Sequence, residues 1–342
     1  MLSLLYPALS FIAIDLQGLW SWIGLAFNLL MVPGMDYALR AKYGREVAIP
    51  ERWRPWLTSD VWMIIATALQ VVVLNIGLRR ISEGVDPFAL FGMVSTLGIA
   101  GGCLCITTAH ELVHRRLPLC RAYGLGLLAT VFYMHFRIDH VYGHHRNVGT
   151  AADLASAAKG EPFFAFFNRA LLKGWGNAWS IESLRLSRRG MRTWSVWNRL
   201  PWYATAQLGL LAAVWIAYGA LPAITLVLQA FIAVHLLEAT NYVQHYGVAR
   251  GAEGTRGGAE QCWDSDFLLS NMLLFNVPMH GHHHESASTV FGRLAVSPKA
   301  HILPASFHLM VFAALFPPIW KRIMDHRTPD FVSEKFPTAS LG

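Results

Sequence analysis

The chain has 342 residues, 54% of them hydrophobic and only 14% charged, with a mean hydropathy of +0.37; a soluble domain carries about 25% charged residues, so an ordinary soluble protein is excluded. The net charge of +7 is no argument for a nucleic-acid partner, because the basic residues gather in loops between apolar runs, where membrane topology places them. With no Ser/Gly- or Pro-rich linker and no internal repeat, residues 1–342 are expected to form a single membrane domain.

In chain order, apolar runs near the roughly 20-residue crossing length fall at 2–17, 19–38, 60–78, 88–109, 203–219 and 222–240. The first has no Lys or Arg ahead of it and no small-residue cleavage site, so it reads as a retained span, and Asp15 to Gly18 as the tight turn of a hairpin. The expected fold is therefore an all-α integral membrane six-transmembrane-helix bundle. Loop 39–59 holds five basic residues (Arg40, Lys42, Arg45, Arg52, Arg54), loop 79–87 holds two (Arg79, Arg80), and the connections at 14–18 and near 220 hold none. The positive-inside rule then puts both termini and the segment 110–202 in the cytoplasm, as in a bacterial-type cell inner membrane. The run 118–136 does not fit as a crossing, since it would leave the histidines before and after it on opposite faces of the bilayer. It is read as re-entrant, surrounded by protein at the cytoplasmic end. Cys103, Cys105, Cys120 and Cys262 form no C-x-x-C pair and read as reduced, structural thiols.

Of 15 histidines, nine fall into spaced groups: HELVH at 110–114, HVYGHH at 140–145, His245 in NYVQHYG, and HGHHH at 280–284. Positions i and i+4 of a helix share a face. On that rule His110 meets His114 at one metal, as do His140 with His144, and His280 with His283 and His284. His145 stands about 100° further round than His144, so neighbouring imidazoles can reach different ions, which argues for two metals. Imidazole suits Fe, Zn, Cu and Ni over Mg or Ca. HELVH alone matches a zinc-peptidase motif with Glu111 as base, but that reading leaves the other boxes without work. A membrane metal-handling protein would place ionisable groups in mid-span; His235, one turn before Glu238, is the main such group here, which favours an enzyme. The bland alternative for each histidine is a surface or core side chain.

HELVHRR, DHVYGHH, NYVQHYG and MHGHHHES together resemble the four histidine boxes of the membrane alkane 1-monooxygenases, within the wider group of membrane desaturases and hydroxylases. The similarity extends to GHHRNVGTAADLASAAKGE (143–161), RLSRRGMRTWS (185–195), WDSDFLLSNMLLF (263–275) and FPPIWKRIMD (316–325). The resemblance implies a cytoplasmic histidine-rich di-iron cap with two iron ions held by His110, His114, His140, His144, His145, His245, His280, His283 and His284. His282 is left over, at a position where the family commonly has an acidic residue. Asp139, Leu154, Gln244 and Met279 also depart from the family pattern without removing a ligand. Glu111, Asp153 and Glu238 are the carboxylates expected to support the site.

The activity implied is hydroxylation of the terminal methyl of a hydrophobic alkane by O2, giving a primary alcohol. Xylene and cymene methyl hydroxylases and fatty-acid desaturases share the pattern and are the alternatives. Such chemistry consumes two electrons, yet the chain has no G-x-G-x-x-G fingerprint and no cysteine pairs for a rubredoxin iron or iron–sulfur cluster. Electrons are expected from outside, which the resemblance makes rubredoxin or a ferredoxin-type reductase. The basic segment Arg185, Arg188, Arg189 and Arg192 suits an acidic partner of that kind, and equally suits anionic membrane lipid. Gly98, Ala100, Gly101 and Gly102, ahead of HELVH, leave either a narrow channel or room for tight helix packing.

Overall fold

The computed structural model describes residues 2–44, 60–250 and 257–329. Two helices open the chain, α1 (Leu2–Leu16) and α2 (Gly18–Tyr43). The turn between them uses left-handed backbone at Gln17 (φ 52°) and Gly18 (φ 48°), the hairpin expected at that point. Next come α3 (Asp60–Ser82) and α4 (Pro87–Val113), and later α7 (Arg199–Tyr218) and α8 (Ala220–His245). Among the described residues, five helices, α2, α3, α4, α7 and α8, are long and apolar enough to cross a membrane. The sixth expected span, α1, is an apolar helix shorter than the usual crossing length of about 20 residues and packs along α3 and α4. Arg45, Arg52 and Arg54, on which the predicted sidedness partly rests, lie outside the described residues.

The bundle is greasy on the outside. Large apolar side chains such as Val72 on α3, Leu208 and Ile216 on α7 and Phe231 on α8 face outward, while Gln70, Thr96, Thr225 and Gln229 are buried. That is the arrangement expected when lipid, not water, bathes the surface. α4 and α8 form its centre. A Cβ at Gly98 would stand 2.6 Å from the Ile232 side chain, and at Gly102 3.2 Å from the Ala233 carbonyl. The small residues ahead of HELVH thus serve close helix packing, and Gly102 in addition borders a cavity.

The run 118–136 is not one continuous helix. α5 (Pro118–Ala129) is a half-length helix, and the chain then turns through Phe132, with φ 53°, into a helical stretch over 136–147. α6 (Phe163–Ser187) follows and packs against that stretch and α8. Its end is tied to the start of α7 by the buried Glu182 carboxylate, which accepts from Arg185 Nη2 at 2.7 Å and Arg199 Nη2 at 2.6 Å. These two arginines hold the Glu182 carboxyl down at about 2 against the effect of burial.

After α8 the chain forms a two-stranded parallel sheet, Trp263–Asp264 paired with His301–Ile302. Short helices cover Leu268–Leu273, His280–Glu285, Phe307–Ala314 and Pro317–Met324. A buried aromatic cluster of Phe163, Phe166, Tyr242, Tyr246, Phe307 and Trp320 locks these pieces onto the end of α8. The cap bearing the last histidine box is thereby fixed to the bundle.

Candidate metal centre

The histidine boxes sit where helices end or change winding. His110 is in the last turn of α4 and His114 just beyond it, after a π-helical turn at Gly101–Ile106. A second π-helical turn, Asp139–His144, carries His140 and His144, with His145 next to it. His245 is the last residue of α8. The helix His280–Glu285 is anchored by Asp264, whose Oδ1 accepts from Gly281 N at 2.7 Å and Oδ2 from Ser297 N at 3.0 Å. Burial lifts the Asp264 carboxyl to about 6 despite those donors.

Eight of the nine rings form two groups, His110, His114, His140 and His283 in one and His144, His245, His280 and His284 in the other, with one nitrogen of each ring within 4.8 Å of the rest of its group. The ninth, His145, joins the first group: its Nε2 stands 3.2 Å from His114, 3.1 Å from His140 and 3.1 Å from His283. In the second group His144 and His284 are 3.1 Å apart, and His245–His280 and His280–His284 both 3.0 Å. Imidazole nitrogens bind a first-row metal at about 2.0–2.1 Å, so two adjacent donors on one ion at tetrahedral to octahedral angles stand roughly 2.8–3.4 Å apart.

The donor set fits a cation on chemical grounds as well. His114, His140 and His145 form a triangle of Nε2 atoms, each 3.1–3.2 Å from the other two. Neutral rings offer one donor and one acceptor apiece, so such a triangle turns lone pairs on one another unless a positive ion lies between them. Burial, then repulsion from neighbouring rings, holds His140, His145, His280, His283 and His284 well below the ordinary imidazole value and His114 down at about 4. They are neutral at physiological pH, the form that ligates metal.

The grouping corrects the spacing argument. His110 and His114 fall together as i and i+4 predict, but His140 and His144 are divided, as are His280 and His283. The π-helical winding is the reason for the first split: its wider turn brings residues five apart onto one face, so His140 pairs with His145 while His144 points to the other group. In the ordinary helix His280–Glu285, His280 and His284 stay together and His283 turns toward the first group.

The carboxylates are placed as follows. Asp153 Oδ2 bonds His144 Nδ1 at 2.9 Å and accepts from Ser156 Oγ at 2.6 Å. Burial opposes charge on both partners, yet their attraction raises His144 and lowers Asp153. Glu238 accepts from Tyr133 Oη at 2.9 Å and Asn241 Nδ2 at 3.1 Å, and borders a small polar pocket with Asp139, His140 and His144. Burial lifts the Asp139 carboxyl to about 6, although Asn177 donates to it. Glu111 pairs with Arg115 at 2.7 Å and accepts from Phe291 N at 3.3 Å. His282 belongs to neither group, and its Nδ1 accepts from Ala295 N at 3.1 Å.

Sequence reasoning missed three supports: Asp264 under the last box, the Tyr133 and Asn241 pair on Glu238, and the Gln261 carbonyl, 2.8 Å from His245 Nδ1. Asp264 stood within the quoted WDSDF segment; a backbone carbonyl leaves no mark in sequence. Gln244 reaches across to the Val277 carbonyl at 2.9 Å, bracing the strand of chain that leads into HGHHH.

A mostly apolar cavity opens onto both groups. It runs between α4 and α8 along Ile99, Gly102, Cys103, Ile106, Leu236 and Leu237, and ends on His110 of the first group and His280 of the second.

Comparison with known proteins agrees with this arrangement. Residues 87–295, from the start of α4 to just past the last box, match the fatty acid desaturase family. The chain is 34% identical to alkane 1-monooxygenase 1 of Pseudomonas aeruginosa over 88% of its own length and 82% of that protein. It is 29% identical to alkane 1-monooxygenase 2 of Alcanivorax borkumensis, over 94% and 87% of the two chains. It is also 27% identical to the xylene/toluene monooxygenase hydroxylase component of Pseudomonas putida, over 89% and 81%. A membrane bundle capped by two histidine groups, matched across most of its length to such relatives, belongs to the alkane 1-monooxygenases, oxidoreductases within the fatty acid desaturase family.

Proposed function

We propose that this protein hydroxylates the terminal methyl group of an alkane to the primary alcohol, using O2, two electrons and two protons, with one oxygen atom leaving as water. The observation that carries the reading is the apolar cavity whose end is formed by His110 and His280, one histidine from each group. A C–H bond delivered along that cavity arrives between the two groups.

His110, His114, His140, His145 and His283 would hold one iron ion and His144, His245, His280 and His284 the other. Two iron ions there would supply the activation of O2. The protein's own residues orient and insulate. Asp153 keeps the proton on His144 Nδ1, so that Nε2 presents its lone pair; the Gln261 carbonyl does the same for His245. Glu238, beside His140 and His144, is the carboxylate placed to hold a proton near the centre, steadied by Tyr133 and Asn241. Glu111 has a positioning role, tying the end of α4 through Arg115 and the chain near Phe291. The apolar cavity wall keeps water from the reacting carbon.

Electrons come from rubredoxin or a similar one-electron carrier. Arg185 is committed to Glu182, so docking falls to the exposed Arg188, Arg189 and Arg192. The membrane is the bacterial inner membrane, crossed six times with α1 counted, and the centre lies on the cytoplasmic side, where the carrier is. Purification in detergent, metal analysis, and turnover with rubredoxin and its reductase on octane, hexadecane and p-cymene test the reading. About two irons per chain and primary alcohol from an alkane are expected; one zinc, an alkene product, or oxidation of p-cymene alone would overturn it.

A further inference from the structure

The cavity that ends on His110 and His280 has a third histidine in its wall, His308, which belongs to neither group. It is 5% exposed and stands on the helix Phe307–Ala314, which packs against α8 and α2. Its Nδ1 lies 2.8 Å from Ser270 Oγ. Ser270 in turn donates its hydroxyl proton to Asp36, and Asp36 also accepts from the backbone N–H of Leu269 at 2.9 Å and of Ser270 at 3.2 Å.

This chain of bonds fixes the tautomer. A serine hydroxyl has one proton, and here it goes to Asp36, so Ser270 Oγ can only accept from His308, whose proton must therefore sit on Nδ1. The other nitrogen, Nε2, is left with a lone pair on the opposite edge of the ring. It is buried and has no hydrogen-bond partner. Burial also pushes His308 down to about 4, so the ring is neutral and Nε2 is an acceptor, not a charge.

The other polar side chains of the wall differ. Thr107 bonds the Cys103 carbonyl, Asn28 bonds Tyr6 and the Gly24 carbonyl, Asn241 bonds Glu238, and Gln244 bonds Val277. Among the described residues of the wall, the buried side-chain nitrogens or oxygens without a partner are His110 Nε2, His280 Nδ1 and His308 Nε2. The first two belong to the metal-binding groups. A buried acceptor without a partner is costly, and three segments of chain cooperate to keep this one turned away from Ser270.

We propose that His308 Nε2 is a hydroxyl-binding subsite within the hydrocarbon cavity, through which the protein binds long-chain primary alcohols in preference to alkanes of the same length. The inference rests on the reading that the cavity takes hydrocarbon chains, and it gives the product of the proposed reaction a place to be held. The alcohol O–H donates to Nε2 while its carbon chain lies along the same apolar wall. Ser270 and Asp36 are positioning residues: they set the ring and its tautomer and do not touch the ligand. They are no hydrolytic triad, because the Ser270 hydroxyl is committed to Asp36 and is not in the cavity wall.

Equilibrium binding of radiolabelled 1-dodecanol and dodecane to the full-length protein in nanodiscs, with empty nanodiscs subtracted, measures the preference without turnover. The wild type is expected to favour the alcohol about fivefold, the share of one buried hydrogen bond. His308→Phe should remove the preference, and His308→Gln, which retains an acceptor, should keep part of it. Ser270→Ala leaves the imidazole in place but frees its tautomer and should lower the preference by about half, a check that stands even if the phenylalanine variant fails to fold. Equal binding of alcohol and alkane by the wild type, or an undiminished preference in His308→Phe and Ser270→Ala, would overturn the subsite. A protein that shows the preference yet makes no alcohol from alkane would instead overturn the hydroxylation reading and leave this one intact.

Discussion

The two histidine groups use the same residue type, five rings in the first and four in the second, but they are supported differently. In the second group every ring is buried, His144 is backed by Asp153 and Ser156, His245 by the Gln261 carbonyl, and His280 and His284 ride on a helix pinned by Asp264. In the first group His114 and His145 are only half-buried, and among the described residues the ring nitrogens approach only one another. A ring whose far nitrogen is bonded points in a fixed direction before any metal arrives; a ring without that bond is aimed by the metal itself. Two of the four rings of the second group, His144 and His245, are thus aimed before a metal arrives, whereas no ring of the first group has such a bond among the described residues. A metal that must order its own ligands gives up part of its binding energy in doing so.

The largest effect should come from the residue on which the first group converges. His145 Nε2 touches three rings, so His145→Ala is expected to abolish turnover and reduce iron from about two to about one per chain, with helical content unchanged by circular dichroism. Wild-type activity in that variant would remove the two-metal arrangement altogether. Asp153→Ala should act on the other group alone. Losing the support of His144 is expected to weaken iron binding there by about 10- to 100-fold, read as the fraction of metal lost on dialysis, with the remaining iron belonging to the first group. Chelation of the wild type sharpens the contrast next: metal release should be biphasic, with the first group emptying about tenfold faster because its ligands lack outside bonds. A single release phase would mean that the two sites are held alike.

The boxes and the membrane character were legible in sequence because both are local: hydropathy needs a window of about 20 residues, and box spacing needs five or six. What misled the sequence reading was also local. The i, i+4 rule assumes ordinary helical winding, and the π turn at Asp139–His144 reassigns His140 and His145 without altering a single spacing. Glu111, inside a motif where it reads as a base, is occupied by Arg115 and Phe291. Other features were beyond reach because they join distant segments. Asp36, Ser270 and His308 meet only in the folded chain, as do Tyr133 and Glu238. No pattern in any one segment announces such a pairing.

The smallest predicted effect lies one bond further out and tests whether support, as distinct from ligation, separates the two groups. Ser156 donates to Asp153 Oδ2 at 2.6 Å and accepts from Gly149 N at 2.9 Å. Ser156→Ala removes the bond to Asp153, about 1 kcal/mol, along with the one from Gly149 N, so iron in the second group should bind about fivefold more weakly, while the first group is unaffected. The sign of the pH effect follows from Asp153. Burial works against its charge, and His144 and Ser156 together hold its carboxyl below the ordinary value, so the support it gives is present above that value and is lost as pH falls through the depressed one. Without Ser156 the carboxyl is less depressed and protonates sooner on acidification. Iron release from the second group should therefore begin at higher pH in Ser156→Ala than in the wild type, measured as iron content after dialysis across an acid series. If the release curve does not move, Asp153 is held by His144 and the Ala155 N–H without help from Ser156, and the contrast between the groups reduces to one carboxylate and one carbonyl.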